Sequence, residues 1–217
     1  HVKRALCLLA ALACAAPASA RKSYDYFIAG DPADVATTTT GGTVLMGGGT
    51  DVDAAFEWLC ALSGGGDFLV IRATGTDAYN PYIRSLCPAG NSVATLIIPS
   101  RSAATDPAVL DLVNGAEALW IAGGDQSNYV NDWQDSPLED AINAAIARGV
   151  PVGGTSAGMN VLTEFVYSAL GSKGATSSQA LADPFNKYMT FTTSFLVTPY
   201  LGGIIGDPHF VERDRMG

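Results

Sequence analysis

The sequence predicts a single three-layer α/β domain with a mostly parallel sheet. Short apolar runs alternate along the chain with segments whose apolar positions recur at helical spacing. The runs are continuously apolar, as in strands that are covered on both faces. Gly-rich turns also follow three of the predicted strands, at residues 47–49, 123–124 and 153–154. Because ligand sites in such sheets lie at the carboxyl ends of the strands, we expect a site at these turns.

The first half of the chain repeats a strand–helix pattern. Each predicted strand is a buried apolar run, and each helix carries an apolar face that ends at glycine or at a polar loop. The predicted strands are residues 24–28, 43–46, 68–73, 92–99 and 118–122. The predicted helices are residues 51–62, 78–86 and 107–114.

The second half begins with a helix that has a clear start signal. Ser136 and Glu139 form a predicted capping box, Pro137 occupies the first helical position, and Gly149 ends the helix. The apolar run 149–152 then leads as a strand into a tight turn. The remaining predictions are a helix from residue 159 to about 170, a loop over the site at 171–183, and strand-like segments at 191–196 and 202–205.

Residues 1–20 are expected to be a secretory signal peptide, followed by one exported domain at residues 21–217. A basic pair precedes the apolar stretch 5–16, and an A-x-A-type cleavage site ends the segment. We therefore expect a secreted or periplasmic protein. The stretch is shorter than the roughly 20 residues of a membrane span, so we predict no span. A lipoprotein attached through Cys14 is an alternative interpretation.

The predicted domain is acidic. The full chain of 217 residues has a formal net charge of −9. Without residues 1–20, its 12 basic side chains fall to 10 against 21 acidic ones, so the net charge becomes −11. Because nucleic-acid binding needs basic surface, we expect no nucleic-acid partner. The charge suits a cationic substrate, although an acidic surface is also simply soluble.

Cys60 and Cys87 are the cysteines of the predicted domain. In an exported protein they are candidates for a disulfide. Cys60 also falls on an apolar helix face, where it would be a buried free thiol, and the sequence leaves both interpretations open. With neither a CxxC pair nor a histidine cluster, we predict no metal site. The 47–49 glycines have neither dinucleotide-loop spacing nor a P-loop lysine, so we also predict no cofactor.

The turn after the last predicted parallel strand has the form of a nucleophile elbow. Gly154-Thr155-Ser156-Ala157-Gly158 fits G-x-S-x-G, in which the flanking glycines avoid a collision and the serine hydroxyl is held above the sheet. The competing interpretation is a Gly-rich turn whose Ser156 only caps the next helix.

A serine nucleophile needs a base and an oxyanion site. His209 is the one histidine of the predicted domain, so it is the candidate base, although a solvated loop histidine is the alternative. The Ala157 amide and an amide of the Gly123-Gly124 turn are the candidate oxyanion donors. An ordinary strand-to-loop turn is the alternative for that glycine pair.

Four segments together resemble the cyanophycinase family, which comprises serine peptidases related to aspartyl dipeptidase, peptidase family S51. They are residues 44–49, 121–126 (IAGGDQ), 153–158 (GGTSAG) and 207–215 (D-x-H-F-x-x-R-x-R). The resemblance runs from about residue 43 to the end of the sequence. It implies a flavodoxin-like sheet of the class I glutamine amidotransferase type.

The same resemblance implies a role for each site residue. Ser156 is the implied nucleophile, His209 the base, and Gly124 and Ala157 the oxyanion hole. The implied substrate is a β-aspartyl or cyanophycin-type peptide, in which a poly-aspartate backbone carries arginine. Family members are often dimers, but the sequence carries no interface signature, so a homodimer stays open. Positions that match the family's substrate site are Gln126, Asp207, Arg213 and Arg215.

Two departures from the family pattern affect the substrate and the base. The family usually has glutamine between the aspartate and the catalytic histidine, whereas this chain has Pro208. The acid that orients the histidine lies further along in the family, so we expect it beyond Gly217 and expect the sequence to be truncated there. The alternative functions are a generic secreted serine esterase and a non-catalytic exported binding protein on the same fold.

Overall fold

The structure is a computed structural model of the chain, and it describes residues 22–171 and 174–215. The predicted signal peptide lies outside these residues. The strands of the main sheet are β1 (Asp25–Gly30), β2 (Thr43–Met46), β3 (Asp67–Arg72), β4 (Ser92–Ile97), β5 (Ala118–Ile121) and β6 (Val152–Thr155). The helices are α1 (Asp53–Leu62), α2 (Tyr79–Leu86), α3 (Pro107–Asn114), α4 (Gln126–Asp132), α5 (Pro137–Ala147), α6 (Ala157–Val161) and α7 (Ser177–Ala182).

The main sheet is mostly parallel, as the sequence predicts. Within the described residues it has the strand order β1-β4-β3-β5-β6-β2. The neighbours from β4 to β2 are parallel, and β1 pairs antiparallel with β4 at one edge. The run β4-β3-β5-β6 has the 2-1-3-4 order of a flavodoxin-like sheet, and β2 takes the place beyond β6. The fold class is therefore α/β and flavodoxin-like.

Helices cover both faces of the sheet and form three layers. In β3, Leu69 and Ile71 belong to the core on one face, with α3 and α5, whereas Phe68 and Val70 belong to the core on the other, with α1 and α2. This two-sided burial explains why the strand reads as an unbroken apolar run. A second, two-stranded sheet pairs β7 (Val166–Tyr167) with β8 (Phe191–Thr192).

A disulfide joins Cys60 of α1 to Cys87 at the end of α2. The two Cα atoms are 5.9 Å apart, which is within the usual range for a bridge. The structure therefore resolves the alternative that the sequence leaves open. In the described parts of the chain, no helix combines the length and apolarity that crossing a membrane requires.

The helix after Ser156 is much shorter than the predicted 159–170, because α6 ends at Val161. The hydroxyl of Thr163 donates to Asn160 O and accepts the amide of Gly206, which lies 43 residues further along the chain. The Phe165 amide then donates to Ile204 O. These distant partners turn the chain into β7 instead of continuing the helix.

Other predicted elements beyond residue 122 also differ from the observed ones. The sequence interpretation missed α4, whose first turn is capped by the Asp125 carboxylate accepting the Ser127 amide. The predicted loop 171–183 contains α7, which begins with a capping box between Thr176 and Gln179. The strand-like segment 191–196 shrinks to β8, and 202–205 contributes a single bridge between Phe165 and Ile205.

Candidate active site

Ser156 occupies a sharp turn between β6 and α6, where the chain leaves the carboxyl end of the sheet. Its backbone has φ 53° and ψ −118°, a conformation that a residue with a side chain adopts only when the surrounding structure holds it there. Packing requires the glycines on either side. A Cβ at Gly154 would lie 2.5 Å from the carbonyl carbon of Gly158, and one at Gly158 would lie 1.9 Å from Ile121 O. The predicted elbow geometry is therefore present.

His209 lies directly against this serine. Its Nε2 is 2.9 Å from the Ser156 hydroxyl oxygen, within hydrogen-bond distance. The His209 amide donates to Gly47 O at 3.1 Å, and a Cβ at Gly48 would lie 2.5 Å from Nε2. The Gly-rich turn after β2 is therefore the surface on which the imidazole rests. The sequence singled out this turn without assigning it a role.

Backbone bonds to β2 hold both partners in place. The Ser156 amide donates to Met46 O at 3.0 Å, and the His209 amide donates to the next carbonyl, that of Gly47. One strand end thus supports the serine and the histidine, which are 53 residues apart in sequence. Within residues 22–171 and 174–215, no carboxylate is hydrogen-bonded to the other ring nitrogen of His209. Glu212 and Asp214 are exposed.

The two candidate oxyanion donors lie on segments next to Ser156. Ala157 is the first residue of α6, where amides have no partner inside the helix. A Cβ at Gly123 would lie 3.3 Å from Ser156 Cβ and 3.8 Å from its Oγ, so the turn before Gly124 runs close beside the serine. Among the described residues, neither the Ala157 nor the Gly124 amide has a hydrogen-bond acceptor. Both are free to bind a ligand oxygen.

Tyr129 of α4 fixes the turn that carries Gly124. Its hydroxyl donates to Ala122 O at 2.8 Å and to Gly123 O at 3.4 Å. Burial raises the pKa of Tyr129 above its ordinary value, so the hydroxyl keeps its proton and remains a donor. The sequence interpretation missed this residue together with α4. The sequence did contain a signal for this helix, because Asp125 is a good N-cap residue and lies four positions before the aromatic–aliphatic pair Tyr129-Val130.

Comparison with known proteins adds an independent observation. The model of peptidase family S51 matches residues 81–182, a stretch that contains Ser156 and ends before His209. Over these residues the chain is similar to peptidase family S51. This family match supports a peptidase hydrolase. No curated protein matches the chain significantly.

Among solved structures, the chain is similar to a peptidase from an acI-B1 Actinobacterium, with 21% identity and a TM-score of 0.48. The match covers 59% of this chain and 59% of that one.

Asp207 and Arg215, which lie on either side of His209 in the sequence, form an ion pair. Arg215 Nη1 donates to Asp207 Oδ1, and the guanidinium carbon lies 5.0 Å from the centre of the Tyr167 ring. The Arg215 side chain is 9% exposed and that of Asp207 is 24% exposed. The family resemblance placed both residues in the substrate site, as contacts to substrate. The structure joins the two side chains to each other.

Two cavities meet at Arg215. The polar cavity has a volume of about 240 Å³ and is lined by Gly124, Asp125, Gln126, Ala169, Gly174, Arg213 and Arg215. The second, more apolar cavity has a volume of about 270 Å³ and is called the apolar cavity. Its apolar walls are Ala175, Ala180, Met189, Phe191, Ile205 and Phe210, and its polar lining residues are Tyr167, Thr176, Ser177, Asp207 and Arg215.

Gln126 has a structural contact in the wall of the polar cavity. It is 7% exposed, and its Nε2 donates to Tyr167 O at 3.2 Å, which ties α4 to β7. Arg213 is exposed and lines the same cavity. The structure therefore brings Gln126, Arg213 and Arg215 to one cavity next to Gly124.

Proposed function

We propose that this chain is a serine-type peptidase that hydrolyses β-aspartyl peptides, with Ser156 as nucleophile and His209 as base. The observation that carries the proposal is the 2.9 Å distance between Ser156 Oγ and His209 Nε2 at a strained strand-to-helix turn. Strained backbone of this kind is concentrated at functional sites. The match to peptidase family S51 supports the reaction class.

The proposed reaction follows the two-step course of serine peptidases. His209 Nε2 accepts the hydroxyl proton while Ser156 Oγ attacks the scissile carbonyl carbon, which forms a tetrahedral intermediate. The amides of Ala157 and Gly124 stabilise its oxyanion. The protonated imidazole donates to the leaving amine, the peptide bond breaks, and an acyl-serine ester remains. Water then attacks this ester with His209 again acting as base, which releases the acid and restores Ser156.

The polar cavity supports a substrate with a free carboxylate. Arg213 and Arg215 line it next to Gly124, and guanidinium groups bind carboxylates through paired hydrogen bonds. A β-aspartyl unit carries such a carboxylate beside the scissile bond. An arginine-bearing poly-aspartate is the broader hypothesis from the family resemblance. Pro208, which replaces the usual glutamine and has no side-chain amide, weakens that hypothesis relative to other β-aspartyl peptides.

We also propose that the protein is exported. The disulfide between Cys60 and Cys87 supports this proposal, because such bridges persist in oxidising compartments. The signal-peptide pattern in residues 1–20 points the same way. Fractionation of cells that express the natural gene, with mass determination of the mature amino terminus, tests it. Recovery of the unprocessed chain from the cytoplasm contradicts export.

The catalytic proposal is tested by labelling and turnover together. A serine-reactive phosphonate should modify Ser156, as located by peptide mass spectrometry, and the protein should hydrolyse a β-aspartyl dipeptide. Ser156→Ala should abolish both, whereas Ser178→Ala, an exposed serine on α7, should leave both unchanged. A panel of simple esters run in parallel separates an esterase from a peptidase. A protein that is neither labelled nor active on any β-aspartyl peptide is not the proposed enzyme.

A further inference from the structure

The apolar cavity groups three exposed hydrophobic side chains, one of which directly follows the candidate base in the chain. Phe191 and Ile205 are each 48% exposed and Phe210 is 41% exposed, although all three line the same depression. Grouped exposure of large apolar side chains marks a ligand-binding surface more often than a single exposed residue does. Phe210 directly follows His209 in the chain, so this surface begins at the candidate base.

The size of the cavity fits one side chain. Its volume of about 270 Å³ is just below the roughly 300–1,000 Å³ of pockets that hold whole small-molecule ligands. Ala175 and Ala180 form part of the wall, and their small side chains leave the space open. Arg215 lines both this cavity and the polar cavity that Gly124 also lines, so the two cavities are adjacent.

The charges of the cavity disfavour a basic side chain. Among the described lining residues Asp207 is the one acidic group, and it is already paired with Arg215, whose side chain is 9% exposed. A substrate guanidinium would meet the like charge of Arg215. To recruit Asp207 it would have to break the existing pair and leave Arg215 buried without a partner, which is strongly unfavourable. An aliphatic or aromatic side chain meets neither obstacle.

We propose that the apolar cavity binds an aliphatic or aromatic side chain of the residue joined to the β-aspartyl unit, so that the enzyme selects apolar β-aspartyl peptides over arginine-bearing ones. This inference rests on the proposed function, because it assigns a second subsite to the same catalytic pair. Binding of the apolar side chain removes Phe191, Ile205 and Phe210 from water, and that burial supplies the preference.

The test compares matched dipeptides on the full chain. We expect kcat/KM for β-Asp-Leu and β-Asp-Phe to exceed that for β-Asp-Arg by roughly tenfold or more. Ala180→Leu, which fills the cavity, should lower kcat/KM for β-Asp-Phe by about tenfold and leave β-Asp-Ala unchanged. Ala182→Leu, an exposed position on the same helix, is the matched control and should change neither.

Calorimetric binding to Ser156→Ala separates this inference from the proposed function. Tighter binding of β-Asp-Leu than of β-Asp-Arg, weakened by Ala180→Leu, supports the apolar subsite even if the wild-type protein shows no turnover. Equal or tighter binding of β-Asp-Arg overturns the inference. The proposed function still stands after that result if the wild-type protein hydrolyses β-aspartyl peptides and Ser156→Ala does not. Failure to bind any of these dipeptides overturns the inference as well.

Discussion

A Cβ atom on Gly48 would lie 2.5 Å from Nε2 of His209, so the glycine is required for the imidazole to occupy its observed place. Gly48 has φ +98° and Gly49 has φ +87°, so both backbones favour glycine. They differ in their surroundings, because a Cβ on Gly49 would meet nothing within 4 Å. Substitutions at the two positions can therefore distinguish the cost of an unfavourable φ, which both share, from the effect of displacing His209, which only Gly48 has.

We therefore expect Gly48→Ala to lower kcat by about 100-fold, since a displacement of about 1 Å in a catalytic group has effects of that size. Gly49→Ala carries a similar backbone penalty, about 1 kcal/mol in unfolding free energy, and should keep most of the activity. Steady-state kinetics and urea unfolding of both variants make the comparison. Equal losses of activity in the two variants would show that backbone strain, rather than contact with the imidazole, explains the effect.

Tyr129→Phe tests whether the turn before Gly124 has to be held for catalysis. The variant loses the hydroxyl that donates to Ala122 O and Gly123 O, so we expect unfolding free energy to fall by about 1 kcal/mol. We expect kcat to fall by roughly tenfold with little change in KM, because a misplaced oxyanion donor acts on the transition state. Tyr82→Phe, which loses a hydroxyl bond to Asp53, is the control and should keep its kcat. An unchanged kcat in Tyr129→Phe would contradict this role.

Reduction of the Cys60–Cys87 bridge should destabilise the domain without touching its site. The bridge spans a sequence separation of 27 residues, for which closing the loop in the unfolded chain contributes about 2–4 kcal/mol. Urea unfolding with and without reductant measures the difference. The double variant Cys60→Ala with Cys87→Ala should be insensitive to reductant. A wild-type protein whose unfolding midpoint ignores reductant would lack the bridge in solution.

The raised pKa of Tyr79 predicts that the protein loses stability at alkaline pH. Burial, reinforced by the charge of Asp51, raises the pKa of Tyr79 to about 12 from its ordinary 10.0. The folded state therefore holds the proton between these values while the unfolded state releases it. The contribution of Tyr79 to the free energy of unfolding is therefore fully present below pH 10, and it is lost as the pH rises through about 12.

In Tyr79→Phe this part of the decline should disappear, so the difference in unfolding free energy between wild type and variant should shrink from pH 10 to pH 12. At pH 7 the variant loses only the hydroxyl bond to Asp51, about 1 kcal/mol. Urea unfolding at several pH values follows both effects. A constant difference across the alkaline range would contradict the raised pKa.

The sequence predicted the parts of the site that depend on local pattern. The unbroken apolar strands, the glycines around Ser156 and the single histidine of the predicted domain are all visible without a structure. The sheet follows for the same reason, since strands buried on both faces leave a strong compositional signal.

The sequence interpretation was less successful where distant residues decide the local structure. It extended α6 to residue 170 because the apolar spacing continues, whereas Thr163 bonds to Gly206 and ends the helix. The Asp207–Arg215 pair was also missed, because it depends on the folded turn after His209, in which the Arg215 amide donates to Phe210 O. Contacts of this kind leave no periodic pattern in the sequence from which they could be predicted.

The consecutive carbonyls of Met46 and Gly47 accept the amides of Ser156 and His209, so the candidate site depends on the edge strand β2. In the described part of the chain, β2 is paired on one side only, by β6, and sheet margins are where local opening starts. When β2 and β6 separate, the amides of Ser156 and His209 lose their acceptors in the same event. Activity should therefore fade under mild denaturant before the central strands exchange their amide hydrogens. The turnover rate of such a protein reports on the fraying of its outermost strand.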